Sequence, residues 1–285
     1  MIGGYVLSTR IVVTGTAQDA GIPSPGCSCR HCTRARLDPK SRRFPASIAL
    51  ISDSAEVMMV DSTPSFPEQW AMLGHLRLAG ICLTHAHMGH YTGLMFLGRE
   101  GLNSSNVNTY GTASMTRFLA ENAPWSQLVN LCNIQLHSVS WQEKVTFGGD
   151  VEIQFFPVPH RAEYTDTAGV LIRGSKKTLV YIPDIDTWGG LDEGTAELIK
   201  KSDVALVDGT FYSDEELRQL SGLRSIEDIP HPTIQNSLEW FSGCNTQLVF
   251  THLNHTNLGL DAKVENELKK RGARLAVEGD TFWLS

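Results

Sequence analysis

The sequence predicts an α/β fold in which two sheets pack together with helices outside them, layered α/β/β/α. Two observations predict this class. Apolar, β-branched runs of strand length alternate with amphipathic segments along the chain, and polar side chains directly follow several of these runs. Periodicity does not distinguish this layering from one doubly wound sheet, so that arrangement stays open at this point. We expect one domain over residues 1–285, because the chain has no repeat, low-complexity tract or long linker.

Ten segments have the composition of strands, and two have clear helix boundaries. In chain order the strand candidates are RIVVTG (10–15), SIALIS (47–52), EVMMVD (56–61), AGICLTH (79–85), VEIQFFPVPH (151–160), TAGVLIRG (167–174), TLVYIPD (178–184), DVALVDG (203–209), QLVFTH (247–252) and RLAVEGDTFWL (274–284). The segment SDEELRQL (213–220) predicts a helix that begins with a capping box formed by Ser213 and Glu216. The segment DAKVENELKKRG (261–272) predicts a helix that ends at Gly272 after basic residues.

Composition excludes several classes of partner. The formal charge is -7 and the pI is about 5.8, with no basic stripe, so we expect no nucleic-acid binding. No apolar run approaches the ~20 residues that span a bilayer, so we expect no membrane association. The start, MIGGYVLSTRIVV, lacks the basic region and cleavage site of a signal peptide, which favours a cytoplasmic protein. The expected partner is a small-molecule substrate, and the oligomeric state stays open, with a homodimer among the alternatives.

Three of the six cysteines lie within six residues. Cys27, Cys29 and Cys32 are too close together to form well-shaped disulfides with one another, so the pattern indicates a metal site. The cysteines at 82, 132 and 244 stand alone, and we interpret each as a small buried side chain.

Histidine or aspartate directly follows four of the predicted strands. These residues are His85, His160, Asp184 and His252, and the first of them opens a run with three histidines, THAHMGH. A single histidine after a strand is more often structural than a ligand. Four strand ends that carry ligand-type side chains predict a common metal centre, because α/β folds place their chemistry at such ends.

The segment HAHMGH, followed by His160, Asp184 and His252, resembles the metallo-β-lactamase superfamily, and this resemblance implies the α/β/β/α sandwich. Several segments also resemble the pyrroloquinoline quinone biosynthesis B proteins, namely GTAQDAGIPSPGCSCRHC, DSTPSF, HYTGLMFLGREG, LVDGTFYSDEEL and THLNHTN. The Cys-x-Cys-x-x-Cys element and the late His-x-x-His are similar to the phosphonate-pathway cyclic phosphodiesterases of the same superfamily.

The resemblance implies two neighbouring metal positions. The first would be held by His85, His87 and His160, the second by His90 and His252, and Asp184 would bridge both. Zn²⁺, Fe²⁺ and Mn²⁺ all accept these ligands, so the identity of the metal and the number of ions, one or two, stay open. Gly89 stands where the superfamily has an aspartate ligand of the second ion. We therefore expect an altered centre whose second position binds metal more weakly.

The resemblance also implies roles for residues around the centre. Matching the cyclic phosphodiesterases, His255 would complete a structural zinc site with the three cysteines in a knuckle at residues 27–32, with His31 as the alternative ligand. His231 falls where related enzymes place a proton donor, and Asp184 belongs to the catalytic centre as its bridging ligand. From their places at or near strand ends, rather than from the resemblance, Asp61, Ser62, Asp186, Asp208 and Thr210 are candidates to orient ligands. Asp186 stays open as an orienting residue, a substitute ligand or an ordinary turn residue. Four aromatic residues could line the pocket or belong to the core: Tyr91, Tyr164, Tyr212 and Trp188.

Three functions fit these patterns. The preferred one is a metal-dependent hydrolase that uses a metal-bound hydroxide on a small ester, lactone or phosphodiester. The alternative is a non-haem iron oxygenase, which the resemblance to the quinone biosynthesis proteins implies. A non-catalytic protein stabilised by the cysteine-bound zinc is the third. The segments that would shape the pocket, NSSNVNTYG and YSDEELRQLSGLRSIEDIPHPT, carry no recognisable ligand signature.

Overall fold

Fourteen strands form two seven-stranded sheets in the part of the chain that the structure, a computed structural model, describes, residues 8–216 and 230–285. The strands are β1 (Arg10–Gly15), β2 (Ser47–Ile51), β3 (Glu56–Val60), β4 (Arg77–Cys82), β5 (Val107–Gly111), β6 (Ile134–Ser138), β7 (Lys144–Phe147), β8 (Val151–Pro157), β9 (Ala168–Arg173), β10 (Thr178–Ile182), β11 (Val204–Asp208), β12 (Gln247–Thr251), β13 (Ala273–Leu275) and β14 (Thr281–Trp283). The first sheet has the order β14-β1-β2-β3-β4-β5-β6, and the second has the order β13-β12-β11-β10-β9-β8-β7.

Within each sheet, several strands run in the same direction, so their carboxyl ends lie at one edge of that sheet. Strand β2 is antiparallel to both β1 and β3, while β3 and β4 are parallel, so β1, β3 and β4 run the same way. In the second sheet β8 and β10 are each antiparallel to β9, and β11 and β12 are parallel to β10. The carboxyl ends of β8, β10, β11 and β12 therefore lie at one edge of their sheet.

The apolar core has three layers. One cluster lies between the sheets and takes Ile48 and Leu50 from β2 together with Phe155 from β8. The alternate β2 residues, Ala49 and Ile51, belong to a second cluster on the outer face of the first sheet. A third cluster covers the outer face of the second sheet. Because both faces of the central strands are buried, these strands have continuous apolar sequences rather than alternating ones.

Eight helices that lie wholly within the described residues surround the sheets. They are α1 (Arg30–Leu37), α2 (Phe66–Ala71), α3 (Met88–Tyr91), α4 (Ala113–Glu121), α5 (Trp125–Asn130), α6 (Glu193–Lys201), α7 (Ile234–Trp240) and α8 (Ala262–Lys270). Helix α6 begins after Asp192, whose carboxylate accepts a hydrogen bond from Thr195 N, and α7 begins with a capping box formed by Thr233 and Asn236. Helices α2 to α5 contribute to the first sheet's outer cluster, and α6 to α8 to the second sheet's. None of the described helices has the length and apolarity to cross a bilayer.

The predicted α/β/β/α sandwich of two mixed sheets is confirmed, and the doubly wound alternative is wrong. The prediction missed β5, β6 and β7, whose short sequences mix polar and apolar residues. It also joined two strands, because RLAVEGDTFWL covers the last two residues of β13 and all of β14, which belong to different sheets. The predicted helix SDEELRQL begins at Asp214 after Ser213, and its residues 217–220 lie outside the described residues, like most of the second pocket-shaping segment.

Candidate metal centre

The residues predicted to bind metal meet at the carboxyl ends of strands from both sheets. The first sheet contributes the histidine loop that follows β4, and the second contributes the residues after β8, β10 and β12. The side chains of His85, His90, Asp184 and His252 are almost completely buried. A buried cluster of imidazoles and carboxylates needs a partner for each polar atom, and a cation can provide one.

Three imidazoles form the first group of ligand atoms. His87 Nδ1 lies 3.0 Å from His85 Nε2 and 3.1 Å from His160 Nε2. Their potential ligand atoms all lie within 4.8 Å of one another. This spacing matches nitrogen atoms that surround one ion, because ligands about 2.1 Å from a tetrahedral ion are about 3.4 Å apart.

Asp184 joins the first group to a second one. Its Oδ2 lies 3.5 Å from His85 Nε2, 2.9 Å from His90 Nε2 and 3.3 Å from His252 Nε2, and its Oδ1 lies 3.9 Å from His160 Nε2. The carboxylate therefore stands between the two sets of imidazoles, at the place expected of a bridging ligand.

Asp19, a residue that we did not select from the sequence, completes the second group. Its Oδ1 lies 3.4 Å from His90 Nε2 and 3.8 Å from His252 Nε2. The side chain is 47% exposed overall, but the Oδ1 atom is buried. Burial alone would raise the pKa of the Asp19 carboxyl, but the adjacent His252 and His90 rings lower it well below its ordinary value. The available sequence signal was its place four residues after β1, inside the motif GTAQDAG.

Asp61 orients one imidazole of each group. His90 Nδ1 donates to Asp61 Oδ2 at 2.8 Å, which directs His90 Nε2 towards the centre. The Thr84 hydroxyl donates to Asp61 Oδ1 at 2.9 Å and lies 2.9 Å from His85 Nδ1, which donates to it. Since outer partners of this kind set the direction of ligating rings, one carboxylate controls rings of both groups.

The other imidazoles are held in the same way. His160 Nδ1 donates to Asp186 Oδ1 at 2.7 Å, and His87 Nε2 lies 2.8 Å from Glu163 Oε2, which leaves His87 Nδ1 facing the centre. Thr210 Oγ1 lies 3.0 Å from His252 Nδ1. Asp186 is thus positioned to orient a ligand rather than to replace one.

His231 lies beside both groups and pairs with Asp208. His231 Nδ1 donates to Asp208 Oδ2 at 2.6 Å and lies 3.9 Å from Asp184 Oδ1. Its ring centroid is 5.9 Å from that of His160 and 6.0 Å from that of His252. Burial lowers the pKa of His231, but the Asp208 charge outweighs it and raises the pKa to about 9. The Asp208 carboxylate therefore favours the protonated form of the ring.

Charge and burial set opposite protonation states at the ligands. Burial first, and then the charge of His90, hold the pKa of His85 well below its ordinary value, so this ring is neutral. Burial would raise the pKa of Asp184, but the charges of His252 and His90 hold it well below its ordinary range. A neutral imidazole and an ionised carboxylate are the forms that bind cations.

Two residues of the site have left-handed backbone conformations. Asp61 has φ 67° and His252 has φ 56°. Such conformations are costly for residues other than glycine, and they occur where the surrounding structure requires them. At both positions the chain turns directly after a strand, which points the side chain towards the centre.

The protein's own residues fit a metal at the second group. His90 Nε2, His252 Nε2 and Asp19 Oδ1 are all buried, and none has a hydrogen-bond partner among the described residues. His90 Nε2 is close to Asp184 Oδ2, but the pair lacks the alignment of a hydrogen bond. Unpaired buried polar atoms are costly, and a shared cation would satisfy all three.

A separate group contains the cysteines. His255 Nδ1 lies 3.4 Å from Cys27 Sγ and 3.6 Å from Cys29 Sγ, and Cys32 completes a set whose atoms are all within 4.8 Å. Three thiols and one imidazole match a closed structural zinc site. His31 is engaged elsewhere, since its Nδ1 lies 3.0 Å from the His255 carbonyl oxygen and its Nε2 3.3 Å from Asp261 Oδ1.

Some sequence expectations differ from what the structure shows. Ser62 Oγ has no hydrogen-bond partner among the described residues, so it does not orient a ligand. Asp208 contacts His231 instead of one of the metal-facing imidazoles. Tyr164 is largely exposed, whereas Tyr91 and Trp188 are buried in the outer clusters and Tyr212 packs at the edge of one. The expectation of a buried thiol holds for Cys82 and is wrong for Cys132, which is exposed, while Cys244 is partly buried.

Comparison with known proteins accounts for this architecture. The β-lactamase superfamily domain matches residues 54–253, which contain the histidine loop and end just after the last predicted active-site ligand. The chain belongs to the β-lactamase superfamily. Proteins named coenzyme PQQ synthesis protein B are similar over nearly the whole length. That of Cupriavidus taiwanensis is 28% identical and that of Acinetobacter baumannii 25% identical, each over 95% of this chain and 98% of the relative.

Solved structures share the fold at lower identity. Zn²⁺-bound PqqB from Methylobacterium extorquens has a TM-score of 0.83 at 21% identity, over 96% of this chain and 99% of that one. A diphosphatase of the PhnP family has a TM-score of 0.73 at 21% identity, with 97% of each chain covered. The short form of human tRNase Z has a TM-score of 0.64 at 16% identity, over 97% of this chain and 99% of that one. The predicted resemblance to the superfamily and to coenzyme PQQ synthesis protein B is confirmed, and the PhnP-family diphosphatase shares the fold.

Proposed function

We propose that this protein is a metal-dependent hydrolase that acts on a small-molecule ester, lactone or phosphodiester. The observation that carries the proposal is the pair of ligand groups that share the Asp184 carboxylate, beside His231 with its Asp208 partner. Metal ions bound there would activate water near neutral pH and stabilise negative charge that develops on a substrate oxygen.

The chain's own residues would keep this centre in one geometry. Each ligand-type imidazole has its outward nitrogen held by an oxygen, for example His90 by Asp61 and His160 by Asp186. The rings therefore present their inward nitrogens without reorganisation during a reaction.

His231 is the residue that we assign to protonation of the leaving group. Asp208 holds its Nδ1, and Asp208 is itself fixed by hydrogen bonds from Thr210 N at 2.8 Å and Ile185 N at 3.1 Å. The raised pKa keeps the imidazolium available near neutral pH. The carboxylate also prevents the ring from turning away, as an orienting acid does for a catalytic histidine.

The structural comparisons support a hydrolase. The PhnP-family diphosphatase and human tRNase Z share the fold over 97% of this chain. Both names describe cleavage of phosphorus–oxygen bonds. At identities of 21% and 16%, the similarity to this chain is one of fold only.

The test measures turnover by metal-reconstituted protein on phosphodiesters and lactones, and compares chromogenic substrates with poorly activated ones. We expect turnover that disappears in His85→Ala. In His231→Gln, kcat should fall about 100-fold or more for an alkyl leaving group, and much less for p-nitrophenolate, which departs without a proton. His75→Asn, a change at an exposed histidine outside the centre, is the matched control. Equal losses for both leaving groups would contradict the role of His231, and no turnover by reconstituted protein would contradict hydrolysis.

The second candidate is an iron-dependent oxygenase. The full-length similarity to coenzyme PQQ synthesis protein B favours it. Asp184 Oδ2 lies close to the Nε2 atoms of His90 and His252, and two histidines with one carboxylate are a set that suits Fe²⁺. Oxygen uptake with iron-loaded protein and small aromatic or amino-acid-derived substrates would support this function, whereas turnover under argon would support hydrolysis. An inert protein that holds metal only at the cysteines would support the scaffold interpretation.

A further inference from the structure

Gly89 leaves a space that another residue fills. A Cβ atom built on Gly89 would lie 2.7 Å from both Cα and Cγ of Asp19 and even closer to its Oδ1. Because one of these atoms belongs to the backbone, rotation of the Asp19 side chain could not remove the conflict. A side chain at residue 89 and Asp19 in its present place thus exclude each other.

The Asp19 oxygen that occupies this space is aimed at two predicted ligands. We propose that Asp19 supplies the carboxylate ligand of the second metal position, in place of a side chain at residue 89. Its Oδ1 is 3.4 Å from His90 Nε2 and 3.8 Å from His252 Nε2, close to the separation of about 3.4 Å between neighbouring ligands of a tetrahedral ion. All three atoms are buried without hydrogen-bond partners among the described residues.

The position of Asp19 is set by the segment that carries His252. Gln18 N donates to the Leu253 carbonyl oxygen at 3.0 Å, and Asn254 Nδ2 donates to Gln18 Oε1 at 2.7 Å. Gly21 N donates to the Gln18 carbonyl oxygen at 2.8 Å, which closes the turn around the aspartate. Two residues predicted to bind the same ion therefore lie on segments that are bonded directly to each other.

This assignment changes the expectation for the second metal position. The sequence suggested a position with two histidines and a share of Asp184, because residue 89 has no carboxylate. With Asp19 the position has two imidazoles, its own carboxylate and the bridging one. The inference rests on the metal centre proposed above but not on its reaction, and counting bound metal tests it without any measurement of turnover.

The experiment measures metal content and affinity in three variants of the full chain. Asp19→Ala removes the proposed ligand, Asp19→Asn keeps the shape of the side chain but removes its charge, and Asp53→Ala changes an exposed aspartate in the turn after β2. Metal equivalents would be counted by elemental analysis, and affinities would be obtained by competition with a chromogenic chelator. Co²⁺ absorption spectra would report the ligands of the second position.

We expect Asp19→Ala to lose affinity at the second position by more than about 100-fold, which exceeds the usual effect of losing an outer partner. The first position and the zinc at the cysteines should keep their metal, which also shows that the variant is folded. Asp19→Asn should also bind the second ion more weakly than the unmodified protein, and Asp53→Ala should match the unmodified protein. Unchanged affinity in Asp19→Ala, or a loss of only about 10-fold, would overturn the assignment. So would an Asp19→Asn variant that is folded and keeps the full affinity for the second ion.

Discussion

Asp61 offers the strictest test of how the metal centre is organised. It is completely buried, and its oxygens accept hydrogen bonds from His90 Nδ1 at 2.8 Å, Thr84 N at 2.9 Å and Thr84 Oγ1 at 2.9 Å. The substitution Asp61→Asn keeps the shape of the side chain. Asparagine, like aspartate, also tolerates the left-handed backbone conformation of residue 61, with φ 67°. The effect of the variant is therefore confined to charge and hydrogen bonding.

The magnitude follows from these bonds. If the asparagine oxygen faces Thr84, its amide group meets the N–H of His90, and two donors then oppose each other. Loss of a hydrogen bond to a charged group costs about 1.5–3 kcal/mol. Loss of an orienting partner usually lowers metal affinity about 10–100-fold, which corresponds to about 1.4–2.8 kcal/mol. We expect this full loss at the His90 position and a smaller one at the His85 position, because Thr84 can still donate to the asparagine oxygen.

The assay is a chelator competition with zinc or cobalt, with circular dichroism as the measure of folding. Asp186→Asn is the matched control, because Asp186 contacts only His160 among the predicted ligands and should weaken the first ion alone. If Asp61→Asn bound both ions within about twofold of the unmodified protein, the argument that this carboxylate orients the rings would be refuted.

Two further predictions concern stability. Cys32→Ala should lose the structural zinc and lower Tm by about 4 °C or more, since 1 kcal/mol corresponds to roughly 2–4 °C for a chain of this size. Cys132→Ala changes an exposed thiol and should keep both the zinc and the Tm. Thermal scans combined with metal analysis check both variants. Asp203 accepts hydrogen bonds from Thr178 N at 2.7 Å and Thr178 Oγ1 at 2.9 Å, and the backbone bond lowers its pKa below the ordinary 3.8. Asp203→Ala should therefore lower the free energy of unfolding by about 0.5–1 kcal/mol at neutral pH. The difference between variant and unmodified protein should shrink as pH falls below 3.8 and through the lowered pKa of the folded state. Urea unfolding at several pH values measures it.

The central strands could be predicted because their sequences report burial directly. Strands such as β2 and β11 are covered on both faces, so every position in them is buried and the apolar run is unbroken. Strand β5 has partly buried positions at Asn108 and Tyr110, and β7 lies at the edge of its sheet with Lys144 exposed. Short strands of this kind bury too few apolar residues to differ from loops by composition.

The predicted ligands could be found because each follows a strand, and β8, β10 and β12 run in the same direction. His160, Asp184 and His252 lie far apart in the chain, but the carboxyl ends of these strands lie at one edge of the second sheet. Outer partners were harder to choose, since the choice depends on which ring a given oxygen faces. Thr210, for instance, contacts His252, while Asp208 two residues earlier contacts His231.

Asp19 shows why a motif read along the chain can miss a ligand that the fold supplies. A metal position requires a ligand oxygen at a particular place, and a side chain from another part of the chain can supply that oxygen as well as one at residue 89. Strand β1 runs in the same direction as β4, so the turn after β1 arrives at the same edge as the histidine loop. The absence of a side chain at Gly89 is then a condition for the close approach of Asp19 rather than the loss of a ligand. Glycine at residue 89 and aspartate at residue 19 therefore form one structural feature, and a substitution at either position should be judged together with the other.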